Sequence, residues 1–322
     1  MSLSDLRFRT LAPHLHERFG RPMYRVALDA GSTCPNRDGT KGFGGCTYCD
    51  VEGSGTGAFK TGADIAGQLE TGLARVARRT PAGGVIAYLQ SYSNTYVIEE
   101  RLREVLAPLR PRIADGTIGC LALATRPDTL PEWALEILAE LAREVPVWLE
   151  LGLESADDRV LEEIKRFHTA EDFTRAVERC HAAGLETVGH AILGLPGDGR
   201  EGARRTAELL AASGCSGVKV HHLMVLRRTQ LAKQWQAGEV EVLDAATYVD
   251  WCADFIERLA PGQVLHRLTG DAPEENRLAP FWTVPGKGGT ERPIHKNEVR
   301  DRIDAELARR GTRQGTHHLT PA

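Results

Sequence analysis

The chain has 322 residues, of which 42% are hydrophobic and 26% are charged, and its formal net charge is −4. This composition is typical of a soluble globular protein, and the acidity excludes a globally basic nucleic-acid-binding protein, although 40 Lys and Arg residues leave room for a local basic patch. No segment reaches the roughly 18 apolar residues of a membrane helix, and residues 1–10 lack the apolar core of a secretory signal. We therefore expect a cytoplasmic protein without a membrane partner, whose seven cysteines are buried side chains or ligands rather than disulfides.

Apolar runs alternate with segments of helical periodicity over the first two thirds of the chain. The runs predicted to be strands are Tyr24–Ala30, Val85–Gln90, Ile118–Ala124, Val147–Leu153, Thr187–Leu195 and Gly217–Leu226. The segments predicted to be helices are Ala63–Arg79, Val97–Ala107, Pro131–Glu144, Ala170–Ala183 and Arg200–Ser213. Alternation of this kind implies a parallel sheet with right-handed crossovers. Six units are fewer than the eight of a closed barrel, so we predict an α/β fold built on a partial (β/α)6 TIM-like barrel. A doubly wound sheet is the alternative, and both folds put the site at the C-terminal ends of the strands.

The alternation stops near residue 230, which divides the chain into a barrel core (1–230) and a mostly helical C-terminal extension (231–310). Within the extension, Leu231–Leu259 and Glu298–Arg310 are predicted to be helical, and Val264–Leu268 is a candidate extra strand. The tail, 311–322, is polar and predicted to be disordered.

Three cysteines follow the first predicted strand within a segment that we call the cysteine loop (residues 31–50). Cys34 precedes a stretch with four glycines between residues 39 and 45, and this stretch ends in the pair Cys46 and Cys49. Glycine-rich backbone can curl tightly and bring Cys34 back to that pair. Two thiolates with two residues between them are spaced to hold one metal centre.

The number of cysteines in this loop distinguishes between kinds of metal centre. Structural zinc usually takes four ligands, whereas three thiolates on a four-iron cluster would leave one iron open to a substrate or cofactor. A zinc knuckle completed by a histidine is the alternative, with His14 and His16 upstream of the loop. The remaining cysteines are predicted to be buried in the core: Cys120, Cys180, Cys215 and Cys252.

The stretch from Cys34 to Cys49 resembles the cluster loop of radical-SAM enzymes, specifically those of the YhcC-like family. Its wide gap between the first two cysteines is similar to that of the radical-SAM subunit of Elongator, which the chain also resembles over roughly residues 20–290. Tyr48 matches the aromatic residue that precedes the last cysteine in these enzymes. The resemblance implies that Cys34, Cys46 and Cys49 bind a 4Fe–4S cluster and that the open iron chelates S-adenosylmethionine. It further implies cleavage to a 5′-deoxyadenosyl radical, with an electron donor such as flavodoxin or ferredoxin.

Candidate contacts to S-adenosylmethionine close the second and third predicted strands. Gln90, Ser91 and Asn94 stand where the family's relatives carry a Gly-Gly-Glu type segment that meets the methionine amino group. Thr125 and Arg126 follow the next strand, in a position typical of functional residues. The alternatives are an ordinary polar loop and a turn.

Further candidates follow the fourth and fifth predicted strands. Glu150 and Glu154 share one face of their strand, and a carboxylate there can accept both ribose hydroxyl protons. The resemblance supports Glu150 or Glu154 for the ribose, with Ser155 nearby, and the alternative for either is a solvated carboxylate at the strand end. Arg166 matches the family's cationic clamp on the methionine carboxylate, a role that suits a guanidinium. The segment containing Gly194 and Leu195 resembles the one that contacts adenine.

Candidate substrate contacts lie later in the chain. His221 and His222 occupy the sixth predicted strand and face opposite sides of it, as substrate contacts, proton donors or core histidines. The segment around Arg267 resembles a region of the Elongator subunit, which acts on transfer RNA, so the resemblance implies a tRNA substrate modified at a wobble uridine. Basic residues that could meet phosphates are Arg227, Arg228, Lys233, Arg267, Arg277, Lys287 and Arg292. The alternatives are a radical enzyme acting on a peptide or metabolite, and a metal-containing RNA-binding protein without catalysis.

Overall fold

Seven parallel strands form the centre of the molecule. In the computed structural model, which describes residues 5–50, 58, 62–80, 82–286 and 290–319, these strands form one sheet in the order β1-β2-β3-β4-β5-β6-β8. Their bounds are β1 Met23–Leu28, β2 Gly84–Leu89, β3 Ile118–Thr125, β4 Val147–Glu154, β5 Glu186–Leu193, β6 Gly217–His222 and β8 Val264–Arg267. Four short strands form two antiparallel pairs beside it: β7 Val225–Leu226 with β9 Arg277–Ala279, and β10 Thr283–Pro285 with β11 Glu291–Pro293.

Helices connect the strands and cover the outside of the sheet. Their bounds are α1 Leu11–Phe19, α2 Ile65–Arg79, α3 Glu99–Leu106, α4 Arg110–Ala114, α5 Glu132–Ala142, α6 Asp158–Glu163, α7 Ala170–Ala182, α8 Gly199–Ala212, α9 Gln230–Gln236, α10 Ala245–Arg258 and α11 Lys296–Arg310. Because helices cover one face and polar side chains from the strands fill the other, every residue of β4 is buried. None of the helices among these described residues is long and apolar enough to span a membrane.

The sheet is curled but not closed. The edge strands β1 and β8 have no backbone pairing with each other, yet Arg25 on β1 reaches His266 on β8 at 3.2 Å. Arg25 also lies 3.5 Å from Glu150 on the central strand β4. Side chains from the edges and the centre of a sheet can meet in this way only if the sheet wraps around them. The predicted partial barrel is thereby confirmed, with seven strands rather than six.

Two predicted boundaries need correction. The candidate strand Val264–Leu268 is β8, which pairs with β6, so a division at residue 230 would separate one strand from its own sheet. The tail predicted to be disordered is packed over its described part, 311–319: the Gln314 side chain donates to the carbonyls of Ala260 (2.7 Å) and Gln263 (2.8 Å). The polar composition of the tail suggested disorder. Composition alone does not show that the Gln314 amide has backbone partners.

Candidate active site

A cavity of about 350 Å³, which we call the cysteine cavity, opens at the C-terminal ends of the parallel strands. All seven strands contribute to its wall. Most of the site residues predicted from the sequence line this cavity. They are Cys34, Cys46, Tyr48, Cys49, Gln90, Thr125, Arg126, Glu150, Glu154, Arg166, His221, His222 and Arg267. Five predicted residues do not line it: Ser91, Asn94, Ser155, Gly194 and Leu195.

Backbone hydrogen bonds fold the cysteine loop back on itself. The Arg37 N–H donates to the Cys34 carbonyl at 2.8 Å, and the Gly45 N–H donates to the Asn36 carbonyl at 2.8 Å. Gly45 has a φ of 85°, a left-handed conformation that glycine adopts without steric cost. The reversal returns the chain to Cys46, so the three cysteines line one cavity as the spacing predicted.

Two of the three thiols have hydrogen-bond donors beside them. Asn36 Nδ2 lies 3.4 Å from Cys46 Sγ, and Arg37 Nη2 lies 3.1 Å from Cys49 Sγ. Arg166 Nη1 is a longer contact, at 3.8 Å from Cys46 Sγ. Burial raises the pKa of Cys49 to about 12, although Arg37 opposes the rise. Burial therefore favours the protonated thiol, and binding of iron would replace the proton.

The donor set fits a four-iron cluster better than a zinc ion. The other four cysteines are buried and do not line the cavity. His14 and His16 lie on α1, whose Arg18 pairs at 2.6 Å with Glu186 at the N-terminal end of β5, so this helix is at the opposite end of the sheet. No three His, Cys, Asp or Glu side chains in the described ranges converge on a single-ion site. Three cysteines without a fourth ligand match a cluster with one open iron.

Asn94 and Ser91 lie behind the cavity wall. The Asn94 amide donates to the carbonyls of Leu89 and Ala124, each at 2.9 Å, and its oxygen accepts from Ser32. Asn94 therefore ties together the ends of β2 and β3 and has little capacity left for a ligand. Ser91 is completely buried, and only Gln90 of the predicted trio reaches the cavity.

The other predicted residues outside the cavity also have structural partners. The Ser155 hydroxyl donates to Asp198 at 2.8 Å. Gly194 has a φ of 90°, and a Cβ there would lie 3.0 Å from Leu243. Leu195 belongs to a buried apolar cluster. Ile192, two residues before Gly194, is the side chain of this segment that lines the cavity.

Arg126 is the strongest candidate to bind an anionic cofactor group. It is buried, and its Nε and Nη2 atoms each donate to Asp128 at 2.8 Å. Its Nη1 atom is buried without a hydrogen-bond partner among the described residues. Since an unpaired buried donor is costly, this atom is well placed for a carboxylate of a bound ligand.

Arg166, by contrast, already has several protein partners. Its Nη2 atom donates to the Gly152 carbonyl at 2.8 Å and lies 3.4 Å from Glu154. Its Nε atom contacts His168 at 3.1 Å. Burial alone disfavours its charge, but Tyr48 and Glu154 outweigh this and raise the pKa of Arg166. We therefore expect Arg166 to stabilise the negative charge of the three thiolates of the cysteine loop, as well as that of any ligand beside them.

The floor of the cavity is an ion cluster around Glu150, whose ion partners sequence reasoning missed. The Glu150 carboxylate is in contact with Lys219, and it lies 3.2 Å from His190 and 3.5 Å from Arg25. The Tyr88 hydroxyl lies 3.4 Å from Lys219. Burial raises the pKa of Glu150, but the Lys219 and Arg25 charges outweigh burial and hold it well below the usual range. A lysine between two valines of a predicted buried strand was the available signal.

The two predicted histidines of β6 have different surroundings. His221 packs near His190, with ring centroids 5.7 Å apart. His222 packs on Trp282 at 4.4 Å, and its Nδ1 atom accepts from the Gly270 N–H at 3.2 Å. Burial lowers the pKa of His222 to about 3, so its ring is neutral. A neutral ring that accepts at Nδ1 carries its proton on Nε2 and can donate there.

The chain matches two sequence models from one superfamily. The model of the Radical SAM superfamily matches residues 33–210, and that of the Radical_SAM C-terminal domain matches residues 215–292. The chain therefore belongs to the radical SAM superfamily: it is a radical SAM enzyme, whose cofactors are a 4Fe–4S cluster and S-adenosylmethionine.

Alignments with similar proteins cover most of the chain. YtqA of Bacillus subtilis is 36% identical over 98% of this chain and 94% of its own length. YhcC of Escherichia coli K12 is 33% identical over 83% of this chain and 85% of its own length, which confirms the predicted YhcC-like resemblance. A solved structure of Elp3 from Methanocaldococcus infernus covers 91% of this chain with a TM-score of 0.69 at 14% identity. This chain spans 64% of that structure, and the likeness shows a shared fold.

Proposed function

We propose that this radical SAM enzyme acts on transfer RNA, at a wobble uridine. The observation that supports this proposal most is the position of Arg267, at the end of β8 and in the wall of the cysteine cavity. Its side chain makes a hydrogen bond to the Thr269 carbonyl and no salt bridge with a described residue. The Asp271 carboxylate lies near enough to favour its charge. A half-buried guanidinium beside the reaction site suits a substrate with phosphate groups.

A second support comes from a more distant relative. The tRNA uridine(34) acetyltransferase of Methanocaldococcus jannaschii is 29% identical over 129 residues, which cover 39% of this chain and 23% of that protein. The proposal carries over the RNA substrate from this likeness and not the acetyl transfer. Lys287, one of the basic residues predicted to meet phosphates, lies outside the described residues and contributes nothing to the argument.

Each part of the cavity has a role in the proposed reaction. When bound, the cluster and S-adenosylmethionine supply a 5′-deoxyadenosyl radical that removes hydrogen from an unreactive carbon. Cys34, Cys46 and Cys49 would hold the cluster, and Arg126 would orient the methionine carboxylate. Glu154, buried at the cavity wall, would accept from the ribose hydroxyl groups. The apolar strands around the site keep out bulk water and competing hydrogen donors.

An electron donor and a location complete the proposal. We propose that flavodoxin or ferredoxin delivers the electron in the cytoplasm, where transfer RNA is present. The purified donor with its reductase should replace dithionite in supporting the cleavage of S-adenosylmethionine. No cleavage with the donor and its reductase, under conditions where dithionite supports cleavage, would contradict this choice of donor.

The test of the substrate compares transfer RNA from cells with and without this gene. We expect one modified uridine of the anticodon to be missing from the deletion strain, as measured by mass spectrometry of the nucleosides. In vitro, the affinity of the protein for transfer RNA should fall steeply as salt rises, because phosphate contacts release condensed counterions. Identical nucleosides in both strains, together with salt-independent or undetectable RNA binding, would contradict a tRNA substrate.

A further inference from the structure

A second cavity of about 890 Å³, which we call the lateral chamber, lies at the open edge of the sheet between β1 and β8. Its volume lies within the ~300–1,000 Å³ typical of ligand pockets. Arg25, His222, Arg267 and Asp271 line both this chamber and the cysteine cavity. The two spaces therefore share one wall, and a ligand in the chamber would lie one layer of side chains from the radical site.

The described lining of the lateral chamber is strongly cationic. One carboxylate lines it, that of Asp271, against five cationic side chains: Arg25, Arg267, Arg277, Lys296 and Arg300. Arg25 is paired with Glu150 and Arg300 with Asp301. The other three cations have no salt bridge with a described residue, and the Arg277 Nε atom is buried without a hydrogen-bond partner there. In a protein of net charge −4, this concentration of unneutralised cations favours an anionic ligand.

An exposed aromatic ring accompanies these cations. Phe281 is 51% exposed, and the Arg277 guanidinium carbon lies 4.8 Å from the centre of its ring. The ring of the neighbouring Trp282 is already packed against His222 at 4.4 Å and Tyr248 at 5.0 Å. Arg277 lies over one face of this half-exposed ring, so a base would stack on its other face. Phosphate-binding cations next to an exposed aromatic ring are how proteins bind single-stranded nucleic acid. A small phosphorylated metabolite would need the cations but not the exposed ring.

The shared wall offers complementary groups to a pyrimidine base. His222 and Arg267 present hydrogen-bond donors, and the Asp271 carboxylate presents an acceptor. Uracil has the matching set on its edge, where one N–H lies between two carbonyl oxygens. Cytosine has the opposite arrangement over part of this edge, so the wall suits a uridine better.

We propose that the lateral chamber binds one nucleotide of the RNA substrate, with its phosphate on Arg277 and Lys296 and its base between Phe281 and the shared wall. This inference rests on the proposed function, because it requires an RNA substrate. It adds a binding site outside the cysteine cavity and assigns it a single uridine next to the wobble uridine, turned out of the RNA strand.

The experiment measures binding of the cluster-loaded enzyme to two synthetic anticodon stem-loops, one with uridine and one with an abasic sugar at the position next to the wobble uridine. Wild-type protein should bind the uridine loop about tenfold more tightly, the size of effect expected for a stacked base. Phe281→Ala should lose this preference, and Phe281→Tyr should retain it because the ring remains. Arg277→Gln should weaken binding of both loops and lower the slope of affinity against salt by about one phosphate contact.

Arg175→Gln is the matched control, since Arg175 is an exposed cation on α7 that lines neither cavity. It should keep the preference for uridine. If the wild type binds RNA in a salt-dependent way but Phe281→Ala keeps the preference, the chamber assignment is wrong and the proposed function stands. If the wild type binds neither loop at low salt, both are overturned.

Discussion

Arg166 directs its Nη1 atom at Cys46 Sγ across 3.8 Å, which makes it a neighbour of the candidate cluster ligands. The family resemblance assigned Arg166 to the methionine carboxylate, but its other donors already contact Gly152 and His168. Arg126, which directly follows β3, has the buried donor without a partner among the described residues. The contacts therefore favour separate roles, in which Arg166 would contact the cluster ligands and Arg126 would bind the carboxylate of S-adenosylmethionine.

The cysteine assignment predicts three variants with one phenotype. Cys34→Ala, Cys46→Ala and Cys49→Ala should each fail to assemble the cluster, because two thiolates cannot hold a stable cube. Cys180→Ala and Cys252→Ala are the controls, since both cysteines are buried in helices away from the cavity. Iron and sulfide content after anaerobic reconstitution is the measurement. Loss of iron in a control, with iron kept in Cys34→Ala, would show that the ligands are assigned wrongly.

Arg126→Ala should weaken binding of S-adenosylmethionine by about tenfold to a hundredfold, since a hydrogen bond to a charged group contributes ~1.5–3 kcal/mol. The matched control is Arg159→Ala. Arg159 also pairs with an aspartate two residues away, Asp157, but its side chain is 91% exposed. Calorimetry on cluster-loaded protein measures both affinities. Equal affinity in the two variants would return Arg126 to a structural role.

The ion cluster under the cavity predicts a large loss of stability from one truncation. Lys219→Met should lower the free energy of unfolding by about 3 kcal/mol or more, because it leaves the buried Glu150 charge short of a partner. Lys233→Met, on an exposed helix, should leave the free energy nearly unchanged. Adding Glu150→Gln to Lys219→Met should recover part of the loss in urea unfolding. The cluster would lose its proposed role if Lys219→Met were as mild as the control.

Asp128 predicts a pH dependence of stability. Burial alone would raise the pKa of Asp128, but hydrogen bonds from Arg126 and Lys41 hold it at about 2. A carboxyl whose folded pKa is depressed stabilises the fold above its unfolded value, ~3.9, and this contribution is lost as pH falls towards 2. Asp128→Asn should therefore cost about 2 kcal/mol at pH 7 and about half of that at pH 3.

Urea unfolding across this pH range checks the dependence on Asp128. Asp301→Asn removes an exposed carboxylate paired with Arg300, and its unfolding should follow the wild type at every pH. A cost of Asp128→Asn that does not change between pH 7 and pH 3 would contradict the ion-pair explanation.

The sequence predicted well which residues lie at the C-terminal ends of the strands, because strand positions follow from local sequence patterns. Alternating apolar runs locate the strands, and parallel strands end at one edge of the sheet, so Gln90, Arg126 and Glu154 were expected to meet. The glycine-rich loop between Cys34 and Cys46 was sufficient to predict its own reversal.

The floor and the open edge of the site could not be predicted in this way. Lys219 and Arg25 meet Glu150 only because the sheet curls. The curvature of the sheet cannot be predicted from the sequence of any single strand. Arg267 was expected outside the barrel because its strand has four residues and follows a long helical segment. A strand this short carries too little alternation to be assigned to a sheet.

The central claim is that this protein cleaves S-adenosylmethionine with a cluster held by three cysteines. The most direct test compares the wild type with a triple variant that carries Cys34→Ala, Cys46→Ala and Cys49→Ala. Both proteins are reconstituted anaerobically and mixed with S-adenosylmethionine and dithionite. The 5′-deoxyadenosine that forms is quantified by chromatography and mass spectrometry. The account predicts release of 5′-deoxyadenosine by the wild type and none by the triple variant. Equal amounts from both proteins, or none from a wild type that carries its full complement of iron, would contradict it.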